Sequence, residues 1–403
     1  MNILDTSAIE QCTSCQMCAA VCSTKAISIK LDDNGFYRPY IDSDKCIDCS
    51  LCTKVCYKFH SVTTTSNEEL NHYTLFSAAS LDKDLLSSCT SGGVATVLAR
   101  YLFEKGYKCI GVTYDYQKHI AYHKRAITKD DIESFKGSKY IQSYTYDCFK
   151  ELIKGIKGEN KYAVFCSPCQ AYALDRFLNI KKKRDKFLLI DFYCHGCPSL
   201  TIWQKYISKL KESYNINTID DVKFRSKAKG WGEFCVQISY DNNKKFLSGR
   251  KHDEFYELFF SNLLLNDVCR DCKLRGSLRY ADIRVGDFWG DLYETNTKGV
   301  SAVTLISDEG KLIFNEIKNS FKLKKHSFDG FLPYQSWSHA YDINLDTRNI
   351  LFSLLKDKSL KEVVSFYHKN QSNKEKVKRH LKNIVKLAPL FVINWVKYIY
   401  HKK

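Results

Sequence analysis

The first residues, MNILDTSAIEQC, have neither a basic start nor an apolar run. No export signal is therefore expected, and a chain kept inside the cell holds its thiols reduced, which argues against a disulfide framework. An apolar stretch near the other end, LFVINWVKYIY, has only eleven residues, about half of the twenty that a membrane-spanning helix needs. Acidic residues are almost missing from 374–403, with one against nine Lys and Arg, whereas 1–60 carry seven against six. Nearly half of the net charge of +17 thus sits in the tail. That distribution argues against a broad nucleic-acid footprint and for a local basic surface. A long repeat is also lacking, with one exception in the first 60 residues.

What is abundant is cysteine, with 18 in 403 residues. A chain of this length suggests two or three domains, and reduced cysteines at this density point to metal ligation. Cys109, Cys148 and Cys235 stand apart and are read as structural thiols. The exception noted above is a four-cysteine run that occurs twice: CTSCQMCAAVC and CIDCSLCTKVC share the spacing C-x2-C-x2-C-x3-C. This is the bacterial ferredoxin run for two 4Fe–4S clusters, in which the fourth cysteine crosses to the other cluster. The expected ligands are Cys12, Cys15, Cys18 and Cys56 for one cluster, and Cys46, Cys49, Cys52 and Cys22 for the other. The proline that usually follows the fourth cysteine is absent, since Ser23 and Tyr57 stand there. Zinc is the competing metal, and two copies of one four-cysteine run favour the clusters.

Residues 61–72, SVTTTSNEELNH, are polar without periodicity and read as a linker. An α/β pattern follows. Val94, Val97, Leu98, Tyr101 and Leu102 form one helical face, and Gly106 is placed to end that helix. YAVFC and FLLIDFYC read as short buried strands of a covered, parallel sheet. Each ends in a Cys-x-x-Cys loop, with Cys166 and Cys169 in the first and Cys194 and Cys197 in the second. Loops at the carboxyl ends of such strands are where ligands bind. A third pair, Cys269 and Cys272, brings the thiols to six, where a cluster needs four.

The succession SGGVAT, KGSKYIQS, SPCQ, CHGCPS, FRSKAKGW, CRDC and DIRVGDFWG resembles the family of the β subunit of coenzyme F-420 hydrogenase. That family also holds related dehydrogenase subunits and the plant 7-hydroxymethyl chlorophyll a reductase. The resemblance spans roughly residues 73–325 and implies an FAD with one 4Fe–4S cluster close to it. It implies that Ser91, Gly92 and Gly93, with Lys136, Gly137, Ser138, Lys139 and Tyr140, hold the flavin. It also assigns Cys169, Cys194, Cys269 and Cys272 to a third cluster. Cys166 and Cys197 are then surplus, either incidental or a redox pair of their own. His195 either orients its loop, packs, or does more. No catalytic residue is assigned.

The expected fold class is multidomain, α+β with α/β. A ferredoxin-like dicluster domain (1–60) and the linker (61–72) precede a flavin-binding region in two parts, 73–155 and 156–325, the second with the flavin-proximal cluster. A helical tail (326–403) follows, basic and amphipathic at 374–403. In that last segment Val377, Leu381, Ile384 and Val385 share one helical face beside six Lys and Arg, and Pro389 breaks the helix. It suits a helix lying in a membrane interface at the inner face, and equally a helix packed on the protein's own body. The implied function is an oxidoreductase in the cytoplasm. Electrons pass from a ferredoxin-type carrier through three clusters to FAD and on to an organic acceptor. The acceptor is the deazaflavin coenzyme or a substrate of surface-polysaccharide synthesis. The alternative is a relay subunit of a larger complex with no substrate site of its own. Iron and acid-labile sulfide assays on anaerobically purified protein should give about twelve of each per chain; a value near eight would remove the third cluster.

Overall fold

The computed structural model describes residues 1–242, 244–249, 253–337 and 339–371. It divides into two compact units, Met1–Ile343 and Asn344–Lys403. The strands in chain order are β1 (Ile27–Leu31), β2 (Tyr37–Ile41), β3 (Thr74–Ser80), β4 (Lys108–Asp115), β5 (Ile120–Arg125), β6 (Ser143–Tyr144) and β7 (Tyr162–Phe165). They continue with β8 (Phe187–Phe192), β9 (Ile219–Ser226), β10 (Cys235–Tyr240), β11 (Lys244–Leu247), β12 (Ile283–Asp287), β13 (Ser301–Leu305) and β14 (Phe321–His326).

The duplicated cysteine run is a duplicated backbone. In the first copy Ser14 and Gln16 take positive φ values of 62° and 63°, and in the second Asp48 and Ser50 take 46° and 61°. Each copy then makes a single helical turn, Met17–Ala20 or Leu51–Lys54. Between them β1 and β2 form an antiparallel hairpin, with Ile27 opposite Ile41 and Leu31 opposite Tyr37.

Among the described residues the main sheet has nine strands, in the order β14-β3-β13-β12-β8-β7-β4-β5-β6. Its centre is parallel, since β4, β7, β8 and β12 pair in that sense. β13, β3 and β14 close one side antiparallel, and β5 pairs antiparallel with β4 on the other. The near-continuous apolar runs of β7 and β8 follow from burial on both faces. Side chains alternate across the sheet. Tyr162, Val164 and Leu189 join the core under the helix Pro168–Ile180. Ala163, Leu188 and Ile190 join the core under the helix Val94–Glu104. A separate antiparallel sheet, β11-β10-β9, lies outside this one.

The dicluster segment is fastened to the α/β region by buried polar contacts. Gln16 Oε1 accepts from the backbone N–H groups of Thr145 and Tyr146, at 2.8 and 3.0 Å. Thr145 Oγ1 donates to the Cys15 carbonyl. Arg38 donates to the Cys12 carbonyl and to Asn266 Oδ1, and Asn266 donates back to the Cys12 carbonyl. The stretch expected as a linker carries a one-turn helix, Asn67–Leu70, with a Ser66/Glu69 capping box. Arg279 holds it through Glu69 and the Thr63 carbonyl.

In the second unit, Leu345–Asp357 is capped by Asn344 and Leu360–Lys369 by a Ser359/Glu362 capping box. Leu351, Leu355 and Val363 are buried there. The segment 374–403 lies outside the described residues. Among those described, no helix is long and apolar enough to cross a membrane.

One ion pair is buried inside the sheet. Arg284 of β12 and Asp191 of β8 face each other in register, each 1% exposed, with N–O distances of 2.8 and 2.5 Å. Removing one partner of such a pair strands a buried charge and costs about 3–5 kcal/mol. Arg284→Met should lower stability by about that much, read from anaerobic urea unfolding, whereas Arg284→Met with Asp191→Leu should recover most of the loss.

Candidate redox centres and cofactor cavity

The two N-terminal runs bring their thiols together across the duplication. One small cavity is lined by Cys12, Cys15, Cys18 and Cys56, closed by Ile29, Tyr37 and Pro39. Three of these cysteines come from the first run and the fourth from the second. Cys52 of the second run neighbours Cys18, which links the two groups. Burial, reinforced by the neighbouring thiols, pushes Cys18 and Cys56 well above the ordinary thiol range. Such thiols lose their protons to a metal rather than to water. Alternating left-handed residues turn successive backbone N–H groups inward, a geometry suited to anionic clusters. Ser14 N–H already donates to Cys12 Sγ at 3.4 Å. The donor set and its amide lining fit an iron–sulfur cluster.

A second gathering of thiols forms where β7, β8 and β12 end. Cys166 ends the β7 segment, and Cys169 lies in the first turn of the helix Pro168–Ile180. That helix is started by Pro168 and a Ser167/Gln170 capping box. Cys194 and Cys197 follow β8, while Cys269 and Cys272 flank a 3-10 turn. The four thiols singled out in the sequence are electrostatic neighbours: Cys169 feels Cys272 and Cys269, and Cys194 feels Cys169 and Cys272. Cys197 belongs to the same company, beside Cys269, Cys169 and Cys194, and its N–H donates to Cys269 Sγ at 3.4 Å. Cys166 is set apart; Cys169 is its one thiol neighbour, and Asp191 and Arg184 are the others. Gly196 permits the approach, because a Cβ there would stand 2.8 Å from Leu265 and 3.3 Å from Cys269 Cβ. No group of three Cys, His, Asp or Glu among the described residues is drawn in around a single ion.

His195 is fully engaged in holding this loop. Its Nε2 pairs with Asn262 Oδ1 at 2.7 Å, its Nδ1 with Ser336 Oγ at 3.1 Å, and Tyr341 donates to its carbonyl at 2.7 Å. Arg275 donates to the same carbonyl and places its charge beside Cys194 and Cys269. Arg275, Asn262 and Tyr341 carry no local motif, and only the fold brings them here.

A cavity of about 720 Å³ opens between the loop 86–90, the loop 134–139 and β9, a size within the range of cofactor sites. Lys136, Gly137, Ser138 and Lys139 line it. Ser91, Gly92, Gly93 and Tyr140 do not; they form its supports. Gly93, with φ 88°, starts the helix Val94–Glu104. Gly92 is wedged in the sheet, where a Cβ would meet the Ala78 carbonyl at 2.0 Å. Its N–H donates to Ser301 Oγ, and Ser91 Oγ donates to the Val300 carbonyl. Thr90 Oγ1 accepts from Ser138 N–H at 2.9 Å and so joins the two glycine loops. The Lys139 ammonium donates to the carbonyls of Ser134, Phe135 and Lys136. Burial pulls it down to about 7, against the pull of Asp221. Lys139 is thus a loop anchor, and Lys136 is paired with Glu133.

The cationic lining comes largely from residues that the sequence did not single out. Lys83, Lys223 and Lys298 line the cavity with no ion-pair partner among the described residues. Lys227 donates to the carbonyls of Leu86 and Ser91, both at 2.6 Å, and clamps the first loop to β9. Arg225 is buried against Phe234, 4.2 Å from the ring centroid, and is paired with Asp287. Asp287 also accepts from Trp231 Nε1, and the Trp231 and Trp289 rings stack at 4.6 Å. FRSKAKGW and DIRVGDFWG therefore meet in one knot. The rings of Tyr140, Phe259 and His195 follow one another at 5.5 and 5.0 Å, leading from this knot to the residue beside Cys194.

Residues 159–330 match the family model for the C-terminal part of the beta subunit of coenzyme F420 hydrogenase/dehydrogenase. Residues 11–58 match the 4Fe-4S dicluster domain. Residues 159–330 are thus similar to these beta subunits, and a ferredoxin-type dicluster segment precedes them. Among solved structures, a chain of the F420-reducing [NiFe] hydrogenase complex from Methanosarcina barkeri aligns at 19% identity and a TM-score of 0.45, over 72% of this chain and 90% of that one. No curated protein matches it. The protein is thus an electron-transferring iron–sulfur chain of the oxidoreductase class. The region shared with the beta subunits holds all six C-terminal thiols of interest, together with Arg225, Lys227 and Asp287. The loop 86–93 and Ser138 lie outside it.

The resemblance makes a ranked expectation; the thiol geometry sets apart Cys166 but not Cys197. Cys169→Ser and Cys272→Ser should each lower iron by about four per chain and remove one paramagnetic signal from the reduced protein. Cys166→Ser and Cys197→Ser should retain both iron and signal. Loss in Cys166→Ser with retention in Cys169→Ser would exchange the two assignments.

Proposed function

We propose that this protein moves electrons between a ferredoxin-type carrier and an FAD bound in the 720 Å³ cavity, by way of three 4Fe–4S clusters. Cys12, Cys15, Cys18 and Cys56 hold the first cluster. Cys22, Cys46, Cys49 and Cys52 hold the second. Cys169, Cys194, Cys269 and Cys272 hold the third. The observation that carries the reading is the cavity itself: its lysine-rich lining, with two glycine loops joined by Thr90, includes Arg225, which donates to Tyr140, the first ring of an aromatic file that ends at His195 beside Cys194.

The chain's own part is binding and orientation. Lys83, Lys223 and Lys298 supply positive charge for a diphosphate. Tyr114 and Phe224 in the same wall offer apolar area for rings. A flavin, when bound, supplies the change between one-electron and two-electron transfer. The Arg225–Asp287 pair sets a fixed, buried charge beside that site, and Arg275 sets another beside the thiols. The acceptor is an organic molecule that takes an electron pair. The deazaflavin coenzyme named for the matched family is the first to test, and a substrate of surface-polysaccharide synthesis is the other. The isolated chain reducing that coenzyme would set it apart from a relay subunit.

Heating should release FAD, identified by chromatography; FMN, or no flavin, would overturn the reading. Lys227→Met should weaken flavin binding at least tenfold, because a charge-assisted bond of this kind is worth roughly 1.5–3 kcal/mol. Gly92→Ala should do the same by forcing the loop away from Ala78. Both effects are measurable by flavin titration of the stripped protein.

A further inference from the structure

On that reading, the placement of the thiols also orders the clusters. Cys15 of the first group is an electrostatic neighbour of Cys169, and Tyr57, beside Cys56, is a neighbour of Cys272. The first group therefore abuts the third. The group Cys22, Cys46, Cys49 and Cys52 touches the others through Cys52 and Cys18. Its other side opens to solvent, for Cys49 is exposed and Cys46 half-buried, whereas Cys15 and Cys18 are buried.

The surface around Cys49 carries exposed apolar side chains, with the carboxylate of Asp44 also exposed on the same loop. Ile47 is 67% exposed, Leu4 63% and Met1 56%. The chain start is pinned against the Cys46–Cys52 loop: the Met1 ammonium pairs with Asp48 at 3.4 Å, Asn2 donates to Asp48, and Ser50 Oγ donates to the Met1 carbonyl. Lys45 is neutralised by Asp42. These pairs leave apolar side chains as the salient feature of the rim, and exposed apolar groups gathered at one place mark contact sites.

We propose that the cluster of Cys22, Cys46, Cys49 and Cys52 is where electrons are taken up, and that a small one-electron carrier protein docks on the rim of Met1, Leu4 and Ile47. One electron leaves the reduced carrier, which is oxidised by one unit, and the outer cluster is reduced by one unit, with no bond made or broken. The electron then passes to the Cys12, Cys15, Cys18 and Cys56 cluster and on to the third. The contact is small and transient, as electron-transfer encounters are. With Met1 paired to Asp48 and Lys45 to Asp42, little net charge remains at the rim, and the rate changes little with salt.

Anaerobic stopped-flow reduction of the full chain, followed by cluster bleaching, tests this with a reduced bacterial ferredoxin as carrier and dithionite as the small reductant. Ile47→Glu and Leu4→Glu should each slow reduction by ferredoxin at least tenfold and leave reduction by dithionite within twofold. Ile127→Glu, at a residue 74% exposed elsewhere, should change neither. The wild-type rate should vary less than threefold between low and high salt. Ferredoxin rates unchanged in both rim variants would overturn the proposal. So would equal slowing with dithionite, a wild type that ferredoxin does not reduce, or a rate that collapses in salt and so points to the basic surface. Iron and flavin content, measured before mixing, reports separately on the proposed function: a chain without FAD or the third cluster would fail there, while uptake by the N-terminal clusters would still be read.

Discussion

The guanidinium of Arg284 is the point on which the redox half of the molecule depends. It meets Asp191 across β12 and β8, and two more of its N–H groups reach the carbonyls of Arg275 and Ser277. Asp191 lies three residues before Cys194, and Arg275 three residues after Cys272. One buried side chain thereby sets the relative positions of two cysteine-bearing loops and of the strand that ends in Asp287. The desolvation of such a pair is expensive unless its donors are used, and three partners take four of the five N–H groups. This pair fixes a geometry; its net contribution to stability is a separate matter.

The constraint is passed on along β12. Asp287, at its end, takes Arg225 from β9 and the indole N–H of Trp231. Of the knot of Arg225, Trp231, Trp289 and Phe234, Arg225 lines the cavity. Lys227, the residue just after β9, then draws in the loop that carries Thr90. Cavity and thiols are thus not independent sites. They are two ends of one network running through the carboxyl edge of the parallel sheet, where open α/β sheets place their ligands.

The ferredoxin segment joins the same body through polar contacts that only burial makes strong. Gln16 lies inside the first cysteine run, yet its amide oxygen is spent on Thr145 and Tyr146. Arg38 and Asn266 clamp the Cys12 carbonyl from the other side. A residue in a left-handed turn of the first cysteine run therefore also ties that run to the α/β region.

The dicluster domain was legible in the sequence because a C-x2-C-x2-C-x3-C run is a local object whose spacing determines the loop. The parallel strands were legible for a similar reason, since apolar runs such as FLLIDFY report burial on both faces. Tertiary structure decided the rest. It separated Cys166 from Cys197, two residues that look alike in their Cys-x-x-Cys pairs, because one lies under the sheet edge and the other in the shared loop. It turned Lys139 away from its expected role, because three carbonyls at a helix end claim its ammonium. It brought Arg225, Lys227, Arg275 and Arg284 to the sites from strands and turns scattered through the chain. Spacing encodes what neighbours in sequence can do together. Which distant charges share a buried space depends on how the sheet is ordered, and no local pattern carries that order.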